Sequence, residues 1–236
     1  MSINKDKDKI VTLIPARSGS KRIKDKNLTM LKDKSLIEWS IFYAKKSKFI
    51  NDIFVSSDAS KILNKCKKYK ITGTIKRNKK LSNDKAKLVD VAIDFVKKIN
   101  KSQKYKYLVI LQPTSPFRTN KDIDTSINYF LKNKCDGVTA ISKSRFPSEW
   151  AFKNKKLNLL DNFNNTDFLF QRSQDLSQTY KLTGSIFVIK ISHLLKKRSL
   201  YLKKNFHGVE IPELNAIDID DEIDLEYVKY LIGKKN

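Results

Sequence analysis

Stretches that read as strands alternate with stretches that read as helices along this chain, and that alternation limits its possible folds more than any other property of the sequence. Lys9 to Pro15 is a short run of Val, Ile, Leu and Thr whose length suits a buried strand. Leu36, Ile37, Ser40, Ile41 and Ala44 recur at helical spacing, with Ser35 placed as a cap. Asp52 to Ser56 predicts a second strand, Ala59 to Tyr69 a helix, and Thr74 to Lys76 a short extended piece. Leu88, Val91, Ala92, Phe95, Val96 and Ile99 form one helical face, Tyr107 to Gln112 a strand, Ile123, Ile127 and Phe130 a helix, and Gly137 to Ile141 a strand. Such a series predicts an α/β fold, a mostly parallel sheet flanked by helices, with ligands at the carboxyl ends of the strands.

The rhythm breaks from Ser144 to Tyr180, where Trp150, Phe152, Phe163, Phe168 and Phe170 follow no clear period. This segment reads as an insertion. Exposed aromatics in it would suit a partner surface, and an ordinary lid packing its own core fits equally. Strand character returns at Gly184 to Lys190, and Ala216 to Asp221 leads into a last helix over Glu222 to Ile232. With 236 residues the chain has room for one catalytic domain, residues 1–236, with the insertion at approximately 144–180 as a small subdomain.

Composition narrows the function. Hydrophobic residues make up 40% of the chain, enough for a packed core. No apolar run approaches the ~20 residues that span a bilayer, and Met1 to Lys9 lacks the apolar centre of a signal peptide, so the reading is cytoplasmic with no membrane partner. Cys66 and Cys135 have neither metal-ligand spacing nor the density of a disulfide framework. The formal charge of +24 invites a nucleic-acid reading. Against it, only Arg17, Arg22, Arg77, Arg118, Arg145, Arg172 and Arg198 are arginines among 49 basic residues, and the lysines are scattered rather than gathered in a stripe. A lysine-rich solvated surface accounts for the charge, and no specific nucleic-acid partner is expected.

Three segments carry chemistry. Arg17-Ser18-Gly19-Ser20-Lys21-Arg22, with Lys26 and Asn27, follows a buried strand directly. Gly19 lets backbone approach an oxyanion, amides can form an anion-binding nest, and Arg17, Lys21 and Lys26 can offset the charge of a triphosphate. Neither the P-loop pattern nor G-x-G-x-x-G is present, and a basic surface loop has the same composition. Asp218-Ile219-Asp220-Asp221 precedes the last helix. Residues two apart on an extended segment project to one side, so Asp218 and Asp220 can share one Mg²⁺; capping of the helix by Asp220 or Asp221 is the other use of such acids. Leu111 to Thr119 is a strand end stiffened by two prolines, where the Gln112 amide can read a base or sugar edge, or where the segment is simply a rigid turn. His193 and His207 have no recognisable partner motif.

Taken together and in this order, the segments resemble the acylneuraminate cytidylyltransferase family, the CMP-sialic acid synthetases. Ile14 to Leu28 resembles the family's nucleotide loop, Ile53 to Asp58 its second strand with a Val-Ser-[ST]-Asp ending, and Arg77 with Leu81 to Asp84 the segment after the third strand. Leu111 to Thr119 matches Leu-Gln-Pro-Thr-Ser-Pro-x-Arg almost letter for letter, and Ile217 to Asp220 matches the metal-binding Ile-Asp-Ile-Asp. The resemblance implies a Rossmann-like nucleotidyltransferase fold and Mg²⁺-dependent transfer of CMP from CTP to a sialic-type 2-keto sugar acid. It implies nucleotide contacts from Arg17, Ser18, Gly19, Ser20, Lys21, Lys26, Asn27 and Arg77, and magnesium on Asp218 and Asp220, with Arg17, Lys21, Asp218 and Asp220 forming the catalytic set. On the sugar side it implies Gln112, Thr183, Phe187 and Arg172. Relatives are commonly homodimers in which the insertion crosses to the neighbour, so the same is expected of Ser144 to Tyr180.

Departures from the family's pattern cluster on the acceptor side. Thr183 stands where Asn is common, Lys181 where Arg is common, and Ser173 where a second Arg is frequent, with Arg172 adjacent. CTP is therefore better indicated than N-acetylneuraminate, and Lys21-Arg22-Ile23 is reminiscent of the pseudaminate and legionaminate enzymes. The eight-carbon alternative, a 3-deoxy-manno-octulosonate cytidylyltransferase, resembles Arg-x-Gly-Ser-[ST]-Arg-x-x-x-Lys-Pro-Leu in the loop, whereas Lys21 and Asn27 occupy those places here. A basic nucleic-acid-binding protein would show steep salt dependence and no pyrophosphate release.

Overall fold

The computed structural model of the chain describes residues 9–99, 104–154, 160–162, 170–201 and 204–234. Strand β1 (Lys9–Pro15) forms where the apolar run ends at Pro15, and its residues from Ile10 to Ile14 are all buried. A strand covered on both faces needs such a continuous run, because no position turns to water. It pairs in parallel with β4 (Asp52–Ser57) on one side and β6 (Tyr105–Leu111) on the other. Outward from β4 lies β5 (Gly73–Lys76); outward from β6 lie β10 (Tyr180–Lys190), β7 (Gly137–Lys143) and β11 (Phe206–Glu210). The sheet is parallel except for β10, which runs against both of its neighbours. The expected mostly parallel sheet, flanked by helices, is what forms.

Helices α1 (Leu36–Lys46), α2 (Ser60–Lys67) and α4 (Asn120–Lys132) cover one face, through Ile37, Ile41, Ile62, Ile127 and Phe130. On the other face α3 (Leu88–Ile99) and α5 (Ile191–Lys197) bury Val91, Phe95 and Leu194. Full burial of each such side chain contributes roughly 1.5–3 kcal/mol. Two small hairpins complete the strands: β2 (Met30–Leu31) with β3 (Lys34–Ser35), and β8 (Phe152–Asn154) with β9 (Leu160–Asn162).

Two features place the site. Strand order reverses between β1 and β6, so the loops leaving their carboxyl ends part and open a crevice. A third, small core then draws the chain's ends together: Ile23 from the loop after β1 packs with Leu31, Leu36, Ile219, Leu225 and Val228, the last two from α6 (Glu222–Gly233).

The sequence left some elements out. β10 begins at Tyr180 rather than at Gly184: Tyr180, Lys181 and Leu182 pair with β7 but are exposed, so no burial marks them as a strand, and the pairing then shifts register between Leu182 and Phe187. Edge strand β11 and helix α5 are short, and β11 contains Gly208 and His207, which give no apolar signal. In the insertion, Phe163 and Phe168 lie outside the described residues.

Candidate active site

The loop after β1 keeps its shape because its own polar groups are tied to neighbouring elements. The amide and hydroxyl of Ser18 both donate to the Asp58 carboxylate at the end of β4, at 2.9 and 2.5 Å. Asn27 donates from Nδ2 to the carbonyl of Arg17 at 2.8 Å. Lys26, whose side chain is 12% exposed, donates from Nζ to the carbonyls of Ile219 at 2.7 Å and Asp220 at 3.1 Å. Ser18, Asn27 and Lys26 thus give hydrogen bonds to the protein itself, and build the loop on which the other cations stand. Burial pushes the Asp58 carboxyl up, but the Ser18 hydroxyl and amide outweigh it, and its pKa lies below the ordinary aspartate value. Gly19 is at the open apex; a Cβ there would meet nothing within 4 Å, and its backbone is not left-handed. Neither crowding nor conformation requires glycine at that point, though the missing side chain leaves room for a ligand.

Arg17 and Lys21 project from this loop toward Asp84, at 2.6 and 2.7 Å. Arg77 lies deeper, 6% exposed, and donates to the Ser56 carbonyl at 2.8 Å and hydroxyl at 3.2 Å. Burial lowers its pKa, and the Asp58 carboxylate beside it works the other way.

Across the crevice the acids sit on an extended segment. Ile219 is buried and its amide donates to the Thr114 carbonyl at 2.8 Å, so Asp218 and Asp220, one residue to either side, turn the other way. Asp221 takes the capping role, pairing with Asp224 at the start of α6, so neither Asp218 nor Asp220 is the cap. The Ser115 hydroxyl donates to Asp218 at 3.3 Å. Burial, then the nearby charge of Asp220, pushes the Asp218 carboxyl above the usual range, with the hydroxyls of Thr114 and Ser115 and the Lys26 charge opposing them. A buried carboxylate whose charge is disfavoured, with a second carboxylate beside it, suits a hard divalent cation. Among the described residues no group of three or more His, Cys, Asp or Glu could hold a metal. Mg²⁺ does not need one, since it binds through one or two carboxylates and fills its remaining positions with water and phosphate oxygens.

Arg17, Ser20, Lys21, Lys26, Asn27, Arg77, Gln112, Asp218 and Asp220 all line one cavity of about 570 Å³, with Leu81, Ala86, Leu88 and Val91 as an apolar wall. That volume suits a nucleotide-sized ligand. Gln112 donates from Nε2 to the Gly184 carbonyl at 2.8 Å, and Gly184 has φ +69. The other residues expected on the sugar side are not brought to this cavity. Thr183 is buried and its hydroxyl donates to the Ala140 carbonyl at 3.0 Å. Phe187 is 3% exposed in the core, its ring 5.8 Å from that of Tyr201. Arg172 is exposed, in the insertion.

Three residues beyond those expected shape the site: Asp58, Asp84 and Arg118. Arg118, 0% exposed, donates to the carbonyls of Gln112 and Ser185, each at 2.9 Å, and to the Ser40 hydroxyl at 2.8 Å. It locks the loop after β6 to the bulge of β10 and to α1. Burial brings its pKa down to about 10, which leaves it charged at neutral pH. All three lie inside segments that the motifs span, but a lone charged residue in a sequence does not declare whether it faces ligand or protein.

Residues 11–235 match the cytidylyltransferase family. The pseudaminic acid cytidylyltransferase of Campylobacter jejuni (serotype O:2) is 31% identical over 94% of this chain and 96% of its own. The N-acylneuraminate cytidylyltransferase of Escherichia coli O18:K1:H7 is 28% identical over 97% of this chain, which spans 53% of that longer relative. Among solved structures, a CMP:2-keto-3-deoxy-manno-octonic acid synthetase complexed with CTP superposes with a TM-score of 0.72 at 16% identity, covering 97% of this chain and 100% of the other, a likeness of fold. With a match that omits only the two extremities, and a relative this similar over nearly its whole length, the chain belongs to the cytidylyltransferase family.

Proposed function

We propose that this chain transfers the cytidylyl group of CTP to the anomeric hydroxyl of a nonulosonic acid and releases pyrophosphate. The observation that carries the reading is the convergence of Arg17 and Lys21 with Asp218 and Asp220 around one nucleotide-sized cavity. The names of the relatives supply the substrate class: pseudaminic acid for one, an N-acylneuraminate for the other.

In the proposed reaction the sugar hydroxyl oxygen forms a bond to the α-phosphorus, the bond from phosphorus to the oxygen bridging the α- and β-phosphates breaks with its electron pair going to pyrophosphate, and the hydroxyl proton passes to solvent. Arg17 and Lys21 stabilise the charge that collects on pyrophosphate as it departs. Arg77, which lines the same cavity, would lie by the nucleotide. Asp218 and Asp220 would hold Mg²⁺, which when bound supplies Lewis-acid charge at phosphate oxygens. Gln112 donates a hydrogen bond from Nε2 to the Gly184 carbonyl, which leaves its Oε1 to accept a hydrogen bond from the acceptor sugar.

The same reading includes a homodimer and a cytoplasmic location. The dimer is supported by apolar side chains exposed in and beside the insertion, among them Phe146 at 77% and Phe170 at 98%. Partner residues would then complete the sugar side, where this chain's own Thr183 and Phe187 are turned inward. No described helix is long and apolar enough to cross a membrane.

Pyrophosphate release measured with CTP, Mg²⁺ and a panel of pseudaminate, legionaminate, N-acetylneuraminate and 3-deoxy-manno-octulosonate tests the proposal. Release with one of the nine-carbon acids is expected. Release only with the eight-carbon acid, or with none, would overturn it.

A further inference from the structure

Asp84 is not among the residues assigned to the reaction, yet its carboxylate sits between the two cations assigned to the phosphates. Its Oδ1 is 2.6 Å from Arg17 Nη1 and its Oδ2 is 2.7 Å from Lys21 Nζ, so each oxygen engages a different cation. All three side chains line the cavity, Arg17 and Lys21 from the loop after β1 and Asp84 from the wall between β5 and α3. Both cations hold its pKa below the ordinary aspartate value, Lys21 more than Arg17, so the carboxylate is ionised at neutral pH.

A carboxylate that bridges two cations presents them with the charge pattern of one edge of a pyrophosphate unit. We infer that Asp84 is a stand-in anion, a positioning residue that holds Arg17 and Lys21 at phosphate-binding spacing and that the β- and γ-phosphates must displace. The inference rests on the cytidylyl-transfer reading and deepens it. Displacement swaps one anion for another, so Asp84 weakens polyphosphate binding, and it favours ligands whose phosphates reach both cations at once. The same exchange eases release of pyrophosphate, because the carboxylate returns to the cations as the product leaves. The segment carrying Asp84 also supplies Leu81, Ala86 and Leu88 to the opposite wall.

The test is calorimetric binding of magnesium pyrophosphate, and separately of cytidine, to the wild-type chain and to Asp84→Asn, which keeps the shape and removes the charge. Exposed ion pairs of this kind are individually weak, so pyrophosphate should bind roughly 2- to 30-fold more tightly to the variant. Cytidine, which has no phosphate, should bind both proteins alike. In Lys21→Ala the effect of adding Asp84→Asn should shrink, because one of the two contacts is already gone. Unchanged or weaker pyrophosphate binding by Asp84→Asn would overturn the inference. A folded wild-type chain that bound neither pyrophosphate nor CTP would instead remove the cytidylyl-transfer reading, and this inference with it.

Discussion

The ammonium of Lys26 lies 2.7 Å from the carbonyl oxygen of Ile219, a contact between residues 193 positions apart that fastens the cationic loop to the acid-bearing segment before α6. Lys26 was expected to touch phosphate; in the fold its hydrogen bonds run to the carbonyls of Ile219 and Asp220, within the segment that bears the two acids. Replacing it with Met keeps the apolar stem and leaves two carbonyls without their donor. Charge-assisted bonds of this type contribute about 1.5–3 kcal/mol, so kcat/KM for CTP should fall about 10- to 100-fold in steady-state kinetics. Wild-type kcat/KM in Lys26→Met would show that the tether has no part in the site.

Asp58 should act on the nucleotide through Ser18. Asp58→Ala removes both acceptors and should raise KM for CTP, while Asp58→Asn keeps one carbonyl acceptor and should have a smaller effect. The sign of the pH dependence follows from its depressed pKa. The anchor is fully present above the unfolded aspartate value near ~3.9 and is lost as pH falls through the lower folded value. CTP affinity attributable to this anchor should therefore be flat from neutral to mildly acidic pH. An Asp58→Ala enzyme with unaltered KM would contradict the assignment.

Asp218 has the opposite sign. Its pKa is raised, so the folded chain binds the proton more tightly than the unfolded one, and stability is lost as pH rises from ~3.9 through the folded value. Asp218→Asn removes that cost at neutral pH and should raise Tm by roughly 1–4 °C in scanning calorimetry without added metal. The same variant should lose turnover, and CTP with Mg²⁺ should stabilise it less than the wild type. A lower Tm together with retained activity would refute the role given to this carboxylate.

Gly184 tests the acceptor side. Its backbone is left-handed at φ +69, and a Cβ would come 2.9 Å from Gln112 Nε2. Gly184→Ala therefore strains the bulge and pushes the Gln112 amide off its anchor. KM for the sugar acid should rise several-fold more than KM for CTP; equal changes would mean that Gln112 does not face the acceptor.

How much of this was legible depends on what each residue answers to. Periodicity gave β1, α1, α3, β6 and α4, because burial on one or both faces writes itself directly into residue order. Arg17, Lys21, Gln112, Asp218 and Asp220 were legible because their motifs are contiguous. Strand direction was not: the Gly184 to Lys190 run holds a continuous, buried apolar stretch that reads the same whether β10 lies parallel or antiparallel. Nor was the division of labour inside the loop, where Lys21 pairs with Asp84 and Lys26, lining the same cavity, donates to the carbonyls of Ile219 and Asp220. Both are lysines in one basic stretch, and only the packing of Ile23 beside Ile219 decides which way each points. Phe187 shows the converse, a motif position whose side chain the sheet turns into its own core.

The most direct measurement is a crystal structure of the chain grown with CTP and Mg²⁺. The account predicts one triphosphate lying against Arg17 and Lys21, its metal bridged to Asp218 and Asp220. A triphosphate bound away from Arg17 and Lys21, or metal density remote from those two acids, would contradict it.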